Sequence, residues 1–330
     1  DCKRIQTFTG SHPRPSMANI EAGRKIYDLV DQSTEGDLII AVISGGGSAL
    51  LCPTKDECEQ GIKLYDLSIK SGAKITELNT LRKHTSLLKG GGLAKIAYPA
   101  TVIGLIFSDV PGDNFENVAS GPTYKDVTTA EDAGNIIKQH NVDEGEFVFN
   151  ETPKEDKYFE KVHNFVLVSN QTAVIEMQRK SVELGFEAQI VSTELYAPVD
   201  EALGQIFSAK KQNTVVLGAG EPKVNILNKS GRGGRNLHMG LTALGKNLID
   251  SDSVFVAFAS DGMDNTDSAG AIVDKHTIEK MQKLNLNVND YLQNFNSYLF
   301  FEQTGDLITT GPTGANVSDL MILLNRHQSS

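Results

Sequence analysis

The sequence is poor in cysteine. Three thiols (Cys2, Cys52 and Cys58) in 330 residues are an odd and sparse set, which suits a reducing, cytoplasmic setting better than a disulfide framework. Cys52 and Cys58 lack C-x-x-C spacing and have no histidine pair beside them, so no zinc site is expected there. Long apolar runs are missing too. Hydrophobic residues make up 39%, no run could span a bilayer, and no signal-peptide pattern is present. Positive charge is in deficit: 31 Lys and Arg stand against 42 Asp and Glu, a net charge of −11. That balance argues against nucleic acid or an anionic membrane as partner. It leaves small anionic substrates open, because a local basic cluster can dominate a single site.

Two nucleotide signatures are also absent. Gly218-Ala219-Gly220 is followed by Glu221-Pro222-Lys223, so there is no G-x-G-x-x-G fingerprint of a dinucleotide site. Gly240 to Asn247 has P-loop spacing but ends in Asn, and it lies within the helical run marked by Leu237, Leu241, Leu244 and Leu248. A P-loop belongs at a strand-to-helix turn. Internal repeats and low-complexity tracts are lacking as well.

What the chain does have is alternation. Strand-length apolar runs fall at 38–43, 101–107, 164–168, 187–192, 214–218, 254–259 and 319–324. Helical periodicity falls near 17–31, 60–72, 76–88, 129–140, 171–184, 198–211, 235–248 and 275–284. The strands are nearly continuous in apolar residues, as strands buried on both faces are. The pattern predicts an α/β fold with mainly parallel sheets. Segment 141–160 holds seven acidic residues, two lysines and Pro153, and reads as a surface connection between two halves. The expected division is a Rossmann-like N-terminal domain over 1–150 and a second α/β domain over 151–330, with a cleft between them.

The chemistry is expected where glycines collect at strand ends. Ser44-Gly45-Gly46-Gly47-Ser48 follows the 38–43 strand, and bare backbone there serves either a tight turn or an anion at the N–H groups. Arg82, Lys83, His84 and Lys89 concentrate positive charge just before a second triplet, Gly90-Gly91-Gly92. A helix cap needs one glycine, so three suggest close approach by another backbone or a ligand. Asp109 and Asp113 follow the 101–107 strand, in a loop that also carries Ser120 and Gly121. Carboxylates so placed can hold Mg²⁺ or accept a hydroxyl proton, and equally can make plain turns. In the second half, Glu221 follows the 214–218 strand. Gly233, Gly234, Arg235 and Asn236 open a helix where the dipole disfavours arginine unless an anion is shared. Asp261, Asp264 and Asp267 follow the 254–259 strand, with Mg²⁺ binding and Asx-turn chemistry both open.

Together these segments resemble the type 2 glycerate kinases, ATP-dependent glycerate 2-kinases with a leucine-rich C-terminal region. The stretches that carry the resemblance are GSHPRP, SGGGSALL, ELNTLRKHTSLLKGGGLA, SDVPGDNFENVASGPT, GAGEP, GRGGRN, SDGMDNTDSAGAIVD and TGPTGANVSDL, in the family's order. The resemblance implies two α/β domains that bind glycerate and nucleotide in their cleft. Three departures stand out. The family's upstream glycine-lysine-alanine segment, whose lysine is thought to serve the active site, has no match here. GRGGRN is followed by Leu-His instead of Gln-Glu, and GMDN replaces Gly-Ile-Asp-Gly.

On this reading the substrates are glycerate and ATP, with Mg²⁺. Ser44 to Ser48, Arg82, Lys83, Lys89, Gly90 and Gly91 would receive a carboxylate or phosphates, with His84 as a further ligand contact. Arg235 would stabilise charge on the transferring phosphoryl group, flanked by Glu221, Gly233, Gly234 and Asn236. Asp109, Asp113 or Asp261 would hold Mg²⁺, and Asp109 or Asp261 would orient the attacking hydroxyl. A hydroxypyruvate reductase and a non-catalytic binding homologue are the competing readings. If the upstream layer is missing, the edge near the 38–43 strand should expose apolar surface, and the chain should self-associate or dissolve poorly.

Overall fold

The computed structural model describes residues 5–71, 73–108, 114–225 and 231–326. Asp109 and Asp113 lie outside them. The described chain divides into two compact units, with the boundary between Leu167 and Val168. This is later than the expected 150, because the strand that ends there belongs to the first unit's sheet.

The first unit runs α1 (Ala18–Asp31), β1 (Leu38–Ile43), α2 (Gly47–Leu50), α3 (Lys55–Ser71), α4 (Ile75–His84), α5 (Gly92–Ala97), β2 (Thr101–Phe107), α6 (Ala130–Gln139) and β3 (Val162–Val168). Its sheet has the order β1-β2-β3, with β1 and β2 parallel and Ile39 opposite Val102. One face is packed: Val30, Leu88, Leu93 and Ala97 close on Val102 and Ile39. The other face is open. Leu38, Ile40 and Val42 are 57%, 58% and 67% exposed, and Phe165 and Leu167 are 54% and 45% exposed. The continuous apolar pattern therefore predicts strand here but not burial on both faces, and the exposed apolar surface expected at 38–43 is present.

Segment 141–160 is no connection between halves. Phe147 enters a core with Leu64, Leu81 and Ile137, and the Asn150 N–H donates to the His84 carbonyl. Asp143, Glu146, Glu151, Glu155, Asp156 and Glu160 are exposed, while Phe147 and Phe149 anchor the segment.

The second unit runs α7 (Asn170–Glu183), β4 (Glu187–Ser192), α8 (Val199–Ser208), β5 (Thr214–Gly220), α9 (Arg235–Gly245), β6 (Ser253–Ala259), β7 (Gly270–Val273), α10 (Lys275–Lys283), α11 (Val288–Gln293), α12 (Ser297–Thr304), β8 (Leu307–Ile308) and β9 (Asp319–Asn325). The sheet order is β4-β5-β9-β6-β7-β8. Mainly parallel pairing was expected, but only β4 and β5 pair that way; β9 inserts antiparallel between β5 and β6. The insertion explains the continuous apolar run of β9, whose Leu320, Met321 and Leu323 are buried. It also places Asp319, the first residue of β9, opposite Gly220 and Ala259, where β5 and β6 end. Among the described residues no helix is long and apolar enough to cross a membrane.

Candidate active site

In the first unit, β1 ends in a turn that only glycine fits well. Gly46 has φ +80°, and a Cβ there would meet the His12 ring at 3.3 Å. At Gly47 a Cβ would lie 2.5 Å from the Ala119 methyl. The turn is thus pressed against segment 119–121, where Ala119, Ser120 and Gly121 all take positive φ (51°, 58° and 64°). Left-handed backbone at Ala and Ser costs about 1–2 kcal/mol each. Here it sets the Ser120 hydroxyl 2.8 Å from that of Ser48 and 3.2 Å from Asn79 Oδ1. The N–H groups of Gly45, Gly46, Gly47 and Ser48 meet no acceptor among the described residues.

The basic cluster divides into structural and available charges. Lys89 Nζ bonds Glu57 Oε1 and the Leu51 carbonyl, both at 2.7 Å, and is buried. Lys83 pairs with buried Asp126 at 3.2 Å. Fully buried His84 has one ring nitrogen 2.8 Å from the Asn150 carbonyl and the other 3.1 Å from the Thr128 hydroxyl. The expectation that His84 contacts a ligand fails, since both ring nitrogens are committed and no surface remains. Burial works against a charged Asp126, but hydrogen bonds from His84 and Thr128 and the Lys83 ammonium outweigh it and hold the carboxyl far below its usual range.

Gly90 and Gly91 are likewise committed, their N–H groups donating to the carbonyls of Ser120 (2.9 Å) and Gly121 (2.8 Å). The second triplet serves close approach of another backbone. Arg82 remains. Its guanidinium is half-buried in a small recess with Ser48, Tyr65 and Glu57, and it makes no ion pair among the described residues. Burial alone pulls its pKa down. A partly desolvated guanidinium with no carboxylate partner among the described residues, in a recess that Ser48 also lines, can receive an anion.

In the second unit, Arg235 opens α9. Its Nη1 donates to Glu221 Oε2 at 2.9 Å, and its Nε lies 2.9 Å from Asp319 Oδ2, an ion pair without hydrogen-bond alignment. Glycine at 234 is required by space: a Cβ would fall 2.0 Å from the Asp264 carbonyl oxygen. That approach lets Asp264 cap the helix, accepting from the Leu237 N–H at 2.8 Å and from Asn236 Nδ2 at 3.2 Å. Asn236 is fully buried. Asp261 sits in an Asx turn, accepting from the Met263 N–H at 2.9 Å. Among the described residues no three His, Cys, Asp or Glu side chains cluster as a metal cage.

Burial pushes the Asp319 carboxyl up to about 7, against the pull of Arg235 and Asn236 and with help from Asp264 and Glu221. Arg232 is held elsewhere, paired with Asp267 at 2.5 Å and lying 3.6 Å over the Tyr298 ring. The arginine forced against the helix dipole is thus Arg235, within reach of Glu221 and Asp319.

A family model described as "Domain of unknown function (DUF4147)" matches residues 1–148, and the "MOFRL family" model matches 214–319. The chain is 38% identical to glycerate 2-kinase of Pyrococcus horikoshii, over 98% of this chain and 79% of that relative. The chain belongs to the glycerate 2-kinase family. It is also 35% identical to D-glycerate 2-kinase of Thermotoga maritima, over 96% of this chain and 79% of the relative. A crystal structure of glycerate kinase from Thermotoga maritima superposes with a TM-score of 0.87 at 33% identity, covering 96% of this chain and 80% of that one. Membership in this family of phosphotransferases with an alcohol acceptor bears out the resemblance carried by the eight motifs.

Sequence reasoning passed over Glu57, Asp126 and Asp319. The first two neutralise buried lysines, a role visible only once the lysines are known to be buried. Asp319 was in view within TGPTGANVSDL, but its position opposite Gly220 and Ala259 depends on the insertion of β9.

Proposed function

We propose that this chain transfers the terminal phosphoryl group of ATP to glycerate, giving 2-phosphoglycerate, with Mg²⁺ as the accompanying ion. The observation that carries the site assignment is the contrast within one basic cluster. Lys83 and Lys89 are neutralised by Asp126 and Glu57, whereas Arg82 has no carboxylate partner among the described residues. Arg82 and the N–H groups of Gly45 to Ser48 then hold a carboxylate or phosphate group, with the Ser48 and Ser120 hydroxyls as neighbours. Phosphoryl transfer asks for positioning and charge neutralisation more than for covalent chemistry, and both arginine sites supply that.

Arg235 is assigned to the transferring phosphoryl group, and Glu221 and Asp319 orient its guanidinium. Asp261 fits Mg²⁺: one carboxylate oxygen is used by the Met263 N–H, the other meets no donor among the described residues, and Mg²⁺ is commonly held by one or two carboxylates plus phosphates. Bound there, the ion supplies charge neutralisation to phosphate oxygens. Asp261 would otherwise orient the glycerate hydroxyl; Asp109 stays a candidate for either role, and Asp113 for the metal.

A cytoplasmic setting belongs to the same proposal. Cys52 and Cys58 are free, buried thiols, and burial pushes Cys52 up to about 12, far from reactive thiolate. The test is a coupled assay for ADP release with D-glycerate, ATP and Mg²⁺. ADP formation that depends on glycerate supports the proposal. ATP turnover indifferent to glycerate, or NADH oxidation with hydroxypyruvate, would overturn it.

A further inference from the structure

Two cavities adjoin within the second unit, of about 410 and about 850 Å³. They share Lys223, Val224, His238 and Phe295 as wall residues. The rings of His238 and Phe295 stack on each other, with centroids 5.1 Å apart and planes 18° from parallel. The two cavities differ in character. The smaller is lined by Gly233, Gly234, Arg235 and Ser297; the larger by Val199, Thr242 and Leu292 beyond the shared wall.

At the smaller cavity several polar groups have no hydrogen-bond partner among the described residues. Ser297 is 1% exposed, lines the cavity, and its hydroxyl has no partner among the described residues. Nδ1 of His238 is buried and likewise unpartnered. The N–H groups of Gly233, Gly234 and Arg235 meet no acceptor among the described residues, whereas that of Leu237 is taken by Asp264. Buried polar groups in folded proteins are nearly always bonded, so a hydroxyl left open toward a cavity points to a ligand. Lys223, exposed at the rim, makes no ion pair among the described residues.

We propose that these two cavities form one site for a nucleoside di- or triphosphate, with its phosphates at Gly233, Gly234, Arg235 and Ser297 and its base against the His238–Phe295 ring pair. The inference rests on the kinase reading and adds where the nucleotide sits. Backbone N–H groups at the start of α9, an arginine and a lysine are what a phosphate chain recognises. Stacked rings beside aliphatic walls are what a planar heterocycle recognises. A three-carbon acid would leave most of the paired space empty. Each of the two cavities by itself falls in the range of ordinary small-molecule pockets. Burial keeps the His238 imidazole below its usual pKa, so it faces the base as a neutral ring.

The experiment is titration calorimetry of the full chain with ADP, adenosine and inorganic phosphate, for wild type, His238→Ala and Ser297→Ala. Ser297→Ala removes a hydroxyl that has no partner among the described residues and leaves the fold undisturbed, which its melting temperature verifies. Wild type should bind ADP; His238→Ala should weaken both ADP and adenosine by at least tenfold. Ser297→Ala should weaken ADP several-fold and leave adenosine unchanged. In the coupled assay both variants should raise the KM for ATP and leave the KM for glycerate within twofold. ADP affinity unmoved in both variants overturns the site, even if glycerate phosphorylation is intact. No ADP binding by wild type overturns it as well. ADP binding lost in the variants, in a chain that does not phosphorylate glycerate, keeps the site and removes the kinase reading. Displacement of ADP by phosphate with no adenosine binding would leave an anion site only and overturn the base assignment.

Discussion

Arg235 and Asp319 come within 2.9 Å of each other where β5 and β6 end, and the carboxylate is only 7% exposed. Burial pushes Asp319 up to about 7 despite the neighbouring guanidinium, above the value near 4 that it takes in an unfolded chain. The folded protein therefore holds a proton on this group at pH values where the unfolded chain has released it. Its contribution to stability is fully present below about pH 4 and is lost as pH rises through about 7, an effect of at most about 4 kcal/mol. Denaturant titrations between pH 5 and 8 should show wild type losing stability with pH more steeply than Asp319→Asn. Equal slopes would mean that Asp319 is already ionised in the fold.

Removing the guanidinium should separate turnover from folding. Arg235→Ala leaves Glu221 and Asp319 without their cation, and Asp319 can respond by keeping its proton, so the fold should survive. Turnover with ATP and glycerate should fall by about 10³-fold, the scale of an arginine that meets a transferring phosphoryl group. Arg235→Lys should recover only part of the rate, because a single ammonium cannot serve two carboxylates and a phosphate in a fixed fork. An unchanged kcat in Arg235→Ala would take this residue out of the reaction.

The periodicity of the chain located every strand run it proposed, and β1, β2 and β4 match their expected bounds residue for residue. Apolar patterning records local backbone preference, which is why those strands were legible. It does not record pairing direction, so the antiparallel entry of β9 was not. Nor does it record what covers a face: β1 reads as a strand buried on both sides, yet Ile40 and Val42 are open. The site was legible to the degree that chemistry is written locally. Gly46, Gly234 and Arg235 stood out by violating local rules of turn, space and dipole. His84, Lys83 and Lys89 looked like a ligand cluster because their counter-charges, Asp126 and Glu57, are distant in sequence.

Arg82 and Lys89 test that distinction directly. Arg82→Ala removes a partly desolvated cation with no carboxylate partner among the described residues, so stability should be unchanged within about 0.5 kcal/mol. The KM for one of the anionic substrates should rise by about 10- to 100-fold, matching a charge-assisted hydrogen bond. Lys89→Ala should do the reverse. It strands Glu57, 4% exposed, without its ammonium, and should cost about 3–5 kcal/mol of stability. Parallel melting and kinetic measurements decide it; a destabilised Arg82→Ala with normal KM values would make that arginine structural.

The open face of the first unit's sheet makes a prediction about association. Leu38, Ile40 and Val42 on β1, with Phe165 and Leu167 on β3, form an exposed apolar surface on a three-stranded sheet. Patches of this kind drive contact with another apolar surface. Sedimentation of the chain should show concentration-dependent association, and Ile40→Thr with Val42→Thr should reduce it. Threonine keeps the β-branched geometry that suits a strand, and at exposed positions the cost should stay within about 0.5 kcal/mol each. Association that persists in the double variant would place the contact elsewhere on the molecule. A wild type that stays monomeric at high concentration would mean that the face tolerates water, and that its apolar character reflects strand formation alone.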